Sequence, residues 1–140
     1  MINFKLKHHQ SGTTYKNPHF FILNKGMNSG KPMNQPCPNC FVIIFQCLDD
    51  CENMESICKS LWRVKFWHRF LIGSVIPYIR INDFAKNLNL KANEMMTDFE
   101  QHKKNVEALK LLEQKEKQFQ ENINLINDLR RVIIHRYCKK

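Results

Sequence analysis

No apolar run in this 140-residue sequence is long enough to cross a membrane. The longest nearly apolar stretch, residues 70–79, is interrupted by Gly73, Ser74 and Pro77 and reaches about half of the ~20 residues that a spanning helix needs. The first ten residues alternate apolar and polar side chains, so they lack the continuous apolar segment of a secretory signal. We therefore expect a cytoplasmic protein with no membrane partner.

Signatures of catalysis are also missing. The sequence contains neither G-x-S-x-G nor H-E-x-x-H, and its carboxylates lie almost entirely in segments predicted to be helical. Residues 26–32 fall one residue short of a phosphate loop, and Pro32 stands where Ser or Thr would bind magnesium. We therefore expect that the protein is not an enzyme. The same loop is still rich in Gly, Asn and Lys, a composition that suits contact with phosphate groups.

Acidic residues are absent from both ends of the chain. The first 48 residues carry five lysines and no acid, and the last twelve carry five basic residues and no acid. Such basic segments attract polyanions by Coulomb steering and by the release of counterions. The alternative is that the net charge of +9 serves solubility alone. Under the first interpretation, the residues predicted to contact the phosphates of DNA are Lys16, Lys25, Lys31, Arg63, Arg69 and Arg80.

Short apolar runs dominate the first third of the chain, whereas amphipathic helical spacing dominates the rest. The predicted fold class is therefore α+β, with a small antiparallel or mixed sheet, packed helices and a long C-terminal amphipathic helix. We divide the chain into a globular head, residues 1–82, and a helical tail, residues 83–140. The predicted strands span residues 2–7, 20–23, 41–45 and 75–81, and the predicted helices span residues 49–67, 84–96 and 98–138.

The last predicted helix contains no Gly or Pro, and its apolar residues recur mostly three, four or seven positions apart, as in a coiled coil. A helix of about 40 residues is about 60 Å long. One side of it must therefore be covered, either by a second copy of the chain in a homodimer or by a partner protein. The polar residues 113–118 either continue the helix or form a turn. The predicted interface residues are Phe119, Ile123, Ile126, Ile133 and Tyr137.

Cys37-Pro-Asn-Cys40 is the sharpest local pattern, because two cysteines at this spacing form half of a tetrahedral zinc site. The second half would come from Cys47, Cys51 or Cys58, whose spacing differs from that of a zinc ribbon. A thioredoxin-like pair would open a helix after a strand, whereas this pair precedes a predicted strand. The alternatives are a zinc site at Cys37 and Cys40, a redox pair, or a structural turn with buried thiols. We expect no other cofactor.

Residues 12–32, 36–42 and 73–84, together with EALKLLEQKEKQ at residues 107–118, resemble an uncharacterised bacterial family of unknown function over almost the whole chain. That resemblance implies a folded protein and assigns no activity. Residues 111–138 are also similar to the spacer helix of specificity subunits in type I restriction–modification systems, and residues 73–84 resemble the end of their target-recognition domains. The second resemblance implies DNA reading by the head and pairing through the tail.

Three functional hypotheses follow from these patterns. The first is a non-catalytic DNA-binding module that resembles a target-recognition half-subunit and pairs through its helical tail. The second is a protein–protein interaction adaptor with no nucleic-acid role, whose charge serves solubility. The third is a small zinc-binding protein that uses Cys37 and Cys40. A steep loss of binding with rising salt would separate the first from the second, because phosphate contacts release counterions.

Overall fold

Four strands form one antiparallel sheet in the order β1-β4-β2-β3. The computed structural model describes residues 2–97 and 99–138, and the expected start of the last helix at Asp98 lies outside them. The α+β fold class predicted from the sequence is confirmed. The strands are β1 (Phe4–His8), β2 (His19–Leu23), β3 (Pro32–Met33) and β4 (Cys40–Phe45). The helices are α1 (Leu48–Arg63), a 3₁₀ helix (Phe66–Phe70), α2 (Ile81–Met96) and α3 (Phe99–Cys138).

The central strand β4 is buried on both faces, which explains its nearly continuous apolar sequence. Ile43 belongs to the main core under the helices, whereas Val42 belongs to a smaller cluster on the other face. Successive side chains of a strand point to opposite faces, so the two neighbours must enter different clusters. The register places Leu6 of β1 opposite Ile43 and Phe21 of β2 opposite Val42.

Helix α1 is shorter than the sequence predicted. It begins after Cys47, whose Sγ accepts a hydrogen bond from the Asp50 N–H at 3.5 Å, and it buries Met54 against the sheet. It ends at Arg63 rather than at residue 67. Lys65 adopts a left-handed backbone conformation with φ at 59°, which a right-handed α-helix cannot include. The chain therefore turns and continues as the 3₁₀ helix.

The strand predicted over residues 75–81 is wrong. That segment instead contributes isolated bridges, in which the N–H groups of Ile72 and Tyr78 each donate to the other residue's carbonyl oxygen at 2.9 Å. Pro77 within it has no N–H to donate to a sheet. Its carbonyl oxygen accepts a hydrogen bond from the Gly26 N–H at 2.6 Å. The segment therefore holds the loop that follows β2.

Helix α2 packs against the same core as the sheet. Phe84, Leu88 and Ala92 recur every four residues, so they share one face of the helix, and all three are buried in the main cluster. The chain divides into two units, Met1–Val106 and Glu107–Lys140. The sheet, α1, the 3₁₀ helix and α2 all belong to the first unit.

The second unit is the remainder of α3, which is helical through all of its described residues, 107–138. The polar residues 113–118 continue the helix, so the alternative of a turn there is wrong. Every described residue of this unit is at least partly exposed. Among the described residues, none of the helices is both long enough and apolar enough to cross a membrane.

Candidate anion-binding cleft

Two of the six basic residues predicted to contact phosphate, Lys31 and Arg63, meet at one aromatic ring. Lys31 Nζ lies 5.2 Å and Arg63 Cζ lies 5.0 Å from the centroid of the Trp62 ring. Both distances lie within the range of cation–π attraction. Trp62 and Arg63 close the last turn of α1, and Lys31 directly precedes β3. The end of α1 and the loop between β2 and β3 thus bring these three side chains together.

A cleft of about 320 Å³ lies beside the same ring. Its size lies at the lower end of the range of small-ligand sites. A guanidinium, an ammonium and an imidazole side chain line it, and none of its described lining residues is acidic. Such a wall raises the local concentration of anions. We call it the Trp62 cleft, and its lining residues are Met27, Asn28, Trp62, Arg63, Lys65 and His68.

The loop from Gly26 to Lys31 forms one wall of the Trp62 cleft. The Ser29 hydroxyl donates to the Gly26 carbonyl oxygen at 2.6 Å, and the Gly30 N–H donates to the Leu23 carbonyl oxygen at 2.7 Å. The N–H groups of Gly26, Ser29 and Lys31 also donate to carbonyl groups of the chain. These four backbone donors are therefore already engaged, the Gly26 N–H with Pro77 and the other three with residues 23–28. None of these four N–H groups is available to an anion, so the charged side chains of the site are its main anion-binding groups.

Lys65 is the only non-glycine residue with positive φ in the described part of the chain. A side chain with a Cβ disfavours that conformation by about 1 kcal/mol or more. The Lys65 N–H donates to the Trp62 carbonyl oxygen at 3.0 Å, and its own carbonyl oxygen accepts from the His68 N–H at 3.2 Å. This strained turn is what places Lys65 and His68 on the cleft wall, across from the loop.

The other four predicted phosphate contacts lie elsewhere. Arg69 Cζ packs 5.0 Å from the centroid of the Phe66 ring, which is itself part of the main core. Lys16, Lys25 and Arg80 are exposed, and none of them belongs to the described lining of the cleft. The sequence therefore predicted which basic residues could contact phosphate, but not which of them lie close together. Aromatic and basic side chains alternate in residues 62–70, where the rings of Phe66 and Trp67 belong to the core and the Trp62 ring borders the cleft.

The sequence analysis did not single out Lys65 and His68 as site residues. Both lie in the segment where aromatic and basic residues alternate, and that alternation was the only signal available. Their position depends on where α1 ends. No Gly, Asn or Pro marks the left-handed turn at Lys65, so helical spacing alone predicts a helix that continues past it.

The cysteines are free thiols. Cys40 Sγ donates to the Cys37 carbonyl oxygen at 3.2 Å, and burial raises the pKa of the Cys40 thiol. Burial likewise raises the pKa of Cys51 to about 11 and raises the pKa of Cys58. Thiols with raised pKa values are poor nucleophiles at neutral pH. Within residues 2–97 and 99–138, no group of three or more His, Cys, Asp or Glu side chains could hold a metal. Zinc binding at Cys37 and Cys40 stays a prediction.

The predicted interface residues of the second unit lie on exposed surface. Their exposed fractions range from 49% to 83%, although all of them are large hydrophobic side chains. Pairing through them stays a prediction at this point. The five residues are Phe119, Ile123, Ile126, Ile133 and Tyr137.

Comparison with known proteins identifies the family of the chain. A model of the Family of unknown function (DUF6943) matches residues 6–136. No curated protein and no solved structure matches the chain. The resemblance to an uncharacterised family is thus confirmed, whereas the resemblance to specificity subunits of restriction–modification systems stays a prediction.

Proposed function

We propose that this chain, which belongs to the Family of unknown function (DUF6943), is a non-catalytic, cytoplasmic DNA-binding module that pairs through α3. One observation carries the proposal: Lys31 and Arg63 flank the Trp62 ring at a cleft that has no acidic residue in its described lining. Cations that surround an aromatic ring suit a polyanion whose phosphates alternate with flat bases.

Arg63 in the lining of the cleft and Lys31 beside it, on the Trp62 ring, suggest how a phosphate would be held. The guanidinium of Arg63 can donate two parallel hydrogen bonds to phosphate oxygens, whereas the ammonium of Lys31 acts as a point charge. For Lys31, a charge-assisted hydrogen bond to phosphate is stronger than the cation–π contact with Trp62 that it would replace. Contacts of this kind position DNA but carry no sequence information. We therefore expect binding with weak sequence preference and a steep dependence on salt.

Charge-neutral substitutions of the two cations at the Trp62 ring test the proposal. In Lys31→Gln/Arg63→Gln, the slope of log K against log salt should fall by roughly two units, since each phosphate contact contributes about 0.9. Fluorescence anisotropy with a labelled duplex of about 20 base pairs, between roughly 50 and 200 mM salt, measures that slope. The matched control is Lys86→Gln/Lys103→Gln, which removes the same charge from exposed positions outside the cleft. Equal slopes for the two double variants would show that the cleft does not contact DNA.

Lys65 offers a variant in which stability and binding should change in opposite directions. Glycine adopts positive φ freely, so Lys65→Gly should raise the free energy of unfolding by up to about 1 kcal/mol. It should also weaken DNA binding, because the cleft loses an ammonium group. Lys65→Gln is the control, since it removes the charge and keeps the backbone strain. Chemical denaturation and anisotropy measure the two effects. Wild-type affinity in both variants would exclude Lys65 as a contact.

A protein–protein interaction adaptor is the second candidate, and the exposed apolar residues of α3 favour it. In that case the net charge of +9 serves solubility, and a partner protein covers α3. The two candidates differ in the same titration. An adaptor with no nucleic-acid role binds the duplex weakly at low salt, and substitutions in the Trp62 cleft leave that weak binding unchanged.

A further inference from the structure

Six of the exposed apolar residues of α3 follow two lines of residues spaced seven apart, whereas Leu111, Leu125, Leu129, Val132 and Ile134 are exposed outside these lines. One line contains Leu112, Phe119, Ile126 and Ile133, and the other contains Ile123 and Tyr137, each four residues after a member of the first. All six side chains are at least 49% exposed. Residues seven apart lie two turns along the same side of a helix, so the two lines form a continuous stripe. We call this stripe the α3 seam.

Two charged residues lie within the α3 seam rather than beside it. Glu116 precedes Ile123 by seven residues and Arg130 follows it by seven, so both occupy the second line of the stripe. Both side chains are exposed in the single chain. A charged residue at a position that faces the partner helix weakens pairing in general but selects its register and orientation. The identity of the partner must therefore suit both charges.

A parallel pair of α3 helices would bring like charges together. In a parallel pair, each residue of the stripe faces the same residue of the other copy. Glu116 would then face Glu116 of the second copy, and Arg130 would face Arg130 of the second copy. Like charges in contact within an interface weaken association, so both the Glu116 contact and the Arg130 contact disfavour a parallel pair.

An antiparallel pair brings opposite charges together instead. We infer that α3 pairs with α3 of a second copy in antiparallel orientation, with Ile123 packed against Ile126 of the second copy. In that register, Phe119 packs against Arg130 of the second copy. Glu116 lies in the next layer of the interface, about one helical turn before Phe119. Glu116 of one copy and Arg130 of the second copy are thus within reach of each other. The twofold axis of the dimer generates a second, identical contact between Arg130 of the first copy and Glu116 of the second. This inference rests on the pairing through α3 in the proposed function and adds its orientation and register.

The wider charge distribution of the helix favours the same orientation. Residues 107–121 carry four acidic and three basic side chains, whereas residues 122–138 carry one acidic and three basic side chains. In an antiparallel pair, the basic half of each helix runs alongside the more acidic half of the other. In a parallel pair, the two basic halves would lie side by side and repel each other. A second copy is therefore a complementary partner for this helix only in the antiparallel orientation.

Charge exchange at the two seam positions tests the orientation. In an antiparallel dimer, Glu116→Arg and Arg130→Glu should each raise the dissociation constant about tenfold or more, because each creates a like-charge contact. The combined variant restores opposite charges and should return to within about threefold of wild type. Sedimentation equilibrium of the full chain measures each constant. If the free-energy losses of the two single variants simply add in the combined variant, the antiparallel assignment is wrong.

Disulfide formation tests the register independently. Leu112→Cys and Tyr137→Cys chains are prepared separately, with Cys37, Cys47 and Cys138 replaced by Ser, and are then mixed and oxidised. The proposed register puts residue 112 opposite residue 137 of the second copy, so the mixed disulfide should dominate. It also separates the two copies of residue 112 by about 37 Å. Disulfides between identical chains, or no disulfide in chains that remain dimeric, would overturn the register.

The outcomes also separate this inference from the proposed function. If the disulfides join identical chains while the Trp62 cleft still contributes to salt-dependent DNA binding, only the orientation is wrong. If wild type is a monomer at every concentration, the inference and the proposed pairing both fail. If the cleft variants bind DNA like their control while the mixed disulfide forms, the DNA-binding assignment fails and the antiparallel pair stands.

Discussion

Gly30 is the residue at which the cleft loop and the core fit most closely. Its φ of 97° lies in the left-handed region, and a Cβ at this position would overlap the indole ring of Trp67. Trp67 is only 1% exposed, and its ring centroid lies 4.4 Å from that of Phe84, so the ring has little room to move. The Trp67 Nε1–H has no hydrogen-bond partner in the described part of the chain. Shape rather than a polar contact therefore keeps the loop against the ring.

Alanine substitution separates the two costs of a side chain at Gly30, namely the strain of a positive φ and the overlap with the Trp67 ring. Gly26 has nearly the same φ, 95°, but a Cβ there would meet no atom within 4 Å. Gly26→Ala should therefore cost only the backbone strain, about 1–2 kcal/mol. Gly30→Ala should cost that strain and a further 1–3 kcal/mol, by order of magnitude, for the overlap with a fixed ring. Denaturant unfolding of both variants measures the difference. An equal loss of unfolding free energy in the two variants would mean that the Trp67 ring moves aside to accept the Cβ.

At the scale of the element, α2 acts as part of the core rather than as a connector to α3. Leu88 is fully buried in the main cluster, whereas Leu90 on the other side of the helix is 51% exposed. Leu88→Ala should therefore lower the free energy of unfolding by about 2–5 kcal/mol, through lost transfer energy and the cavity left behind. Leu90→Ala changes the same atoms on the surface and should cost less than about 1 kcal/mol. Similar losses in both would contradict the packing of α2 on the sheet.

The elements that the sequence predicted well are those in which one pattern dominates. The apolar run at residues 41–45 became the central strand, and the four-residue spacing of α2 became its buried face. The elements that it missed depend on contacts between distant segments. The two-residue strand β3 exists because it pairs with β2, and the bridge at Tyr78 closes on a loop more than 40 positions earlier. The secondary-structure propensity of a short sequence window cannot predict either contact, because each depends on a distant segment of the chain.

The candidate site shows the same division between local and distant information. Charge alone selected Lys31 and Arg63, because basic residues are recognised directly from the sequence. Their meeting at Trp62 depends on how the β2–β3 loop folds onto the end of α1. The left-handed turn at Lys65 adds the remaining wall, and nothing in the neighbouring residues favours such a turn. The sequence thus predicted which charged residues the site uses, whereas their arrangement around the cleft depends on tertiary packing.

At the scale of the whole molecule, the sequence combines a cleft that suits polyanions with a helix whose apolar seam is exposed. If both functions belong to one module, pairing joins two DNA-contacting units in one particle. The second contact then becomes intramolecular, so the pair binds a long duplex more tightly than either chain alone. A short duplex that accommodates one cleft only gains nothing from pairing. The two lengths of DNA therefore distinguish a paired DNA-binding module from a DNA-binding monomer.

Glutamate substitution in the α3 seam tests this connection. Ile123→Glu/Ile126→Glu should produce a monomer whose affinity for a long duplex falls by about tenfold or more, with affinity for a short duplex nearly unchanged. The control, Leu125→Glu/Val132→Glu, places the same charges at equally exposed apolar positions on the opposite side of the helix, and should stay dimeric. Both variants add the same negative charge, so general repulsion of DNA cancels in the comparison. Sedimentation and anisotropy give the two readouts. A seam variant that is monomeric yet binds long DNA like the control would separate pairing from DNA binding, and the tail would then serve a different partner.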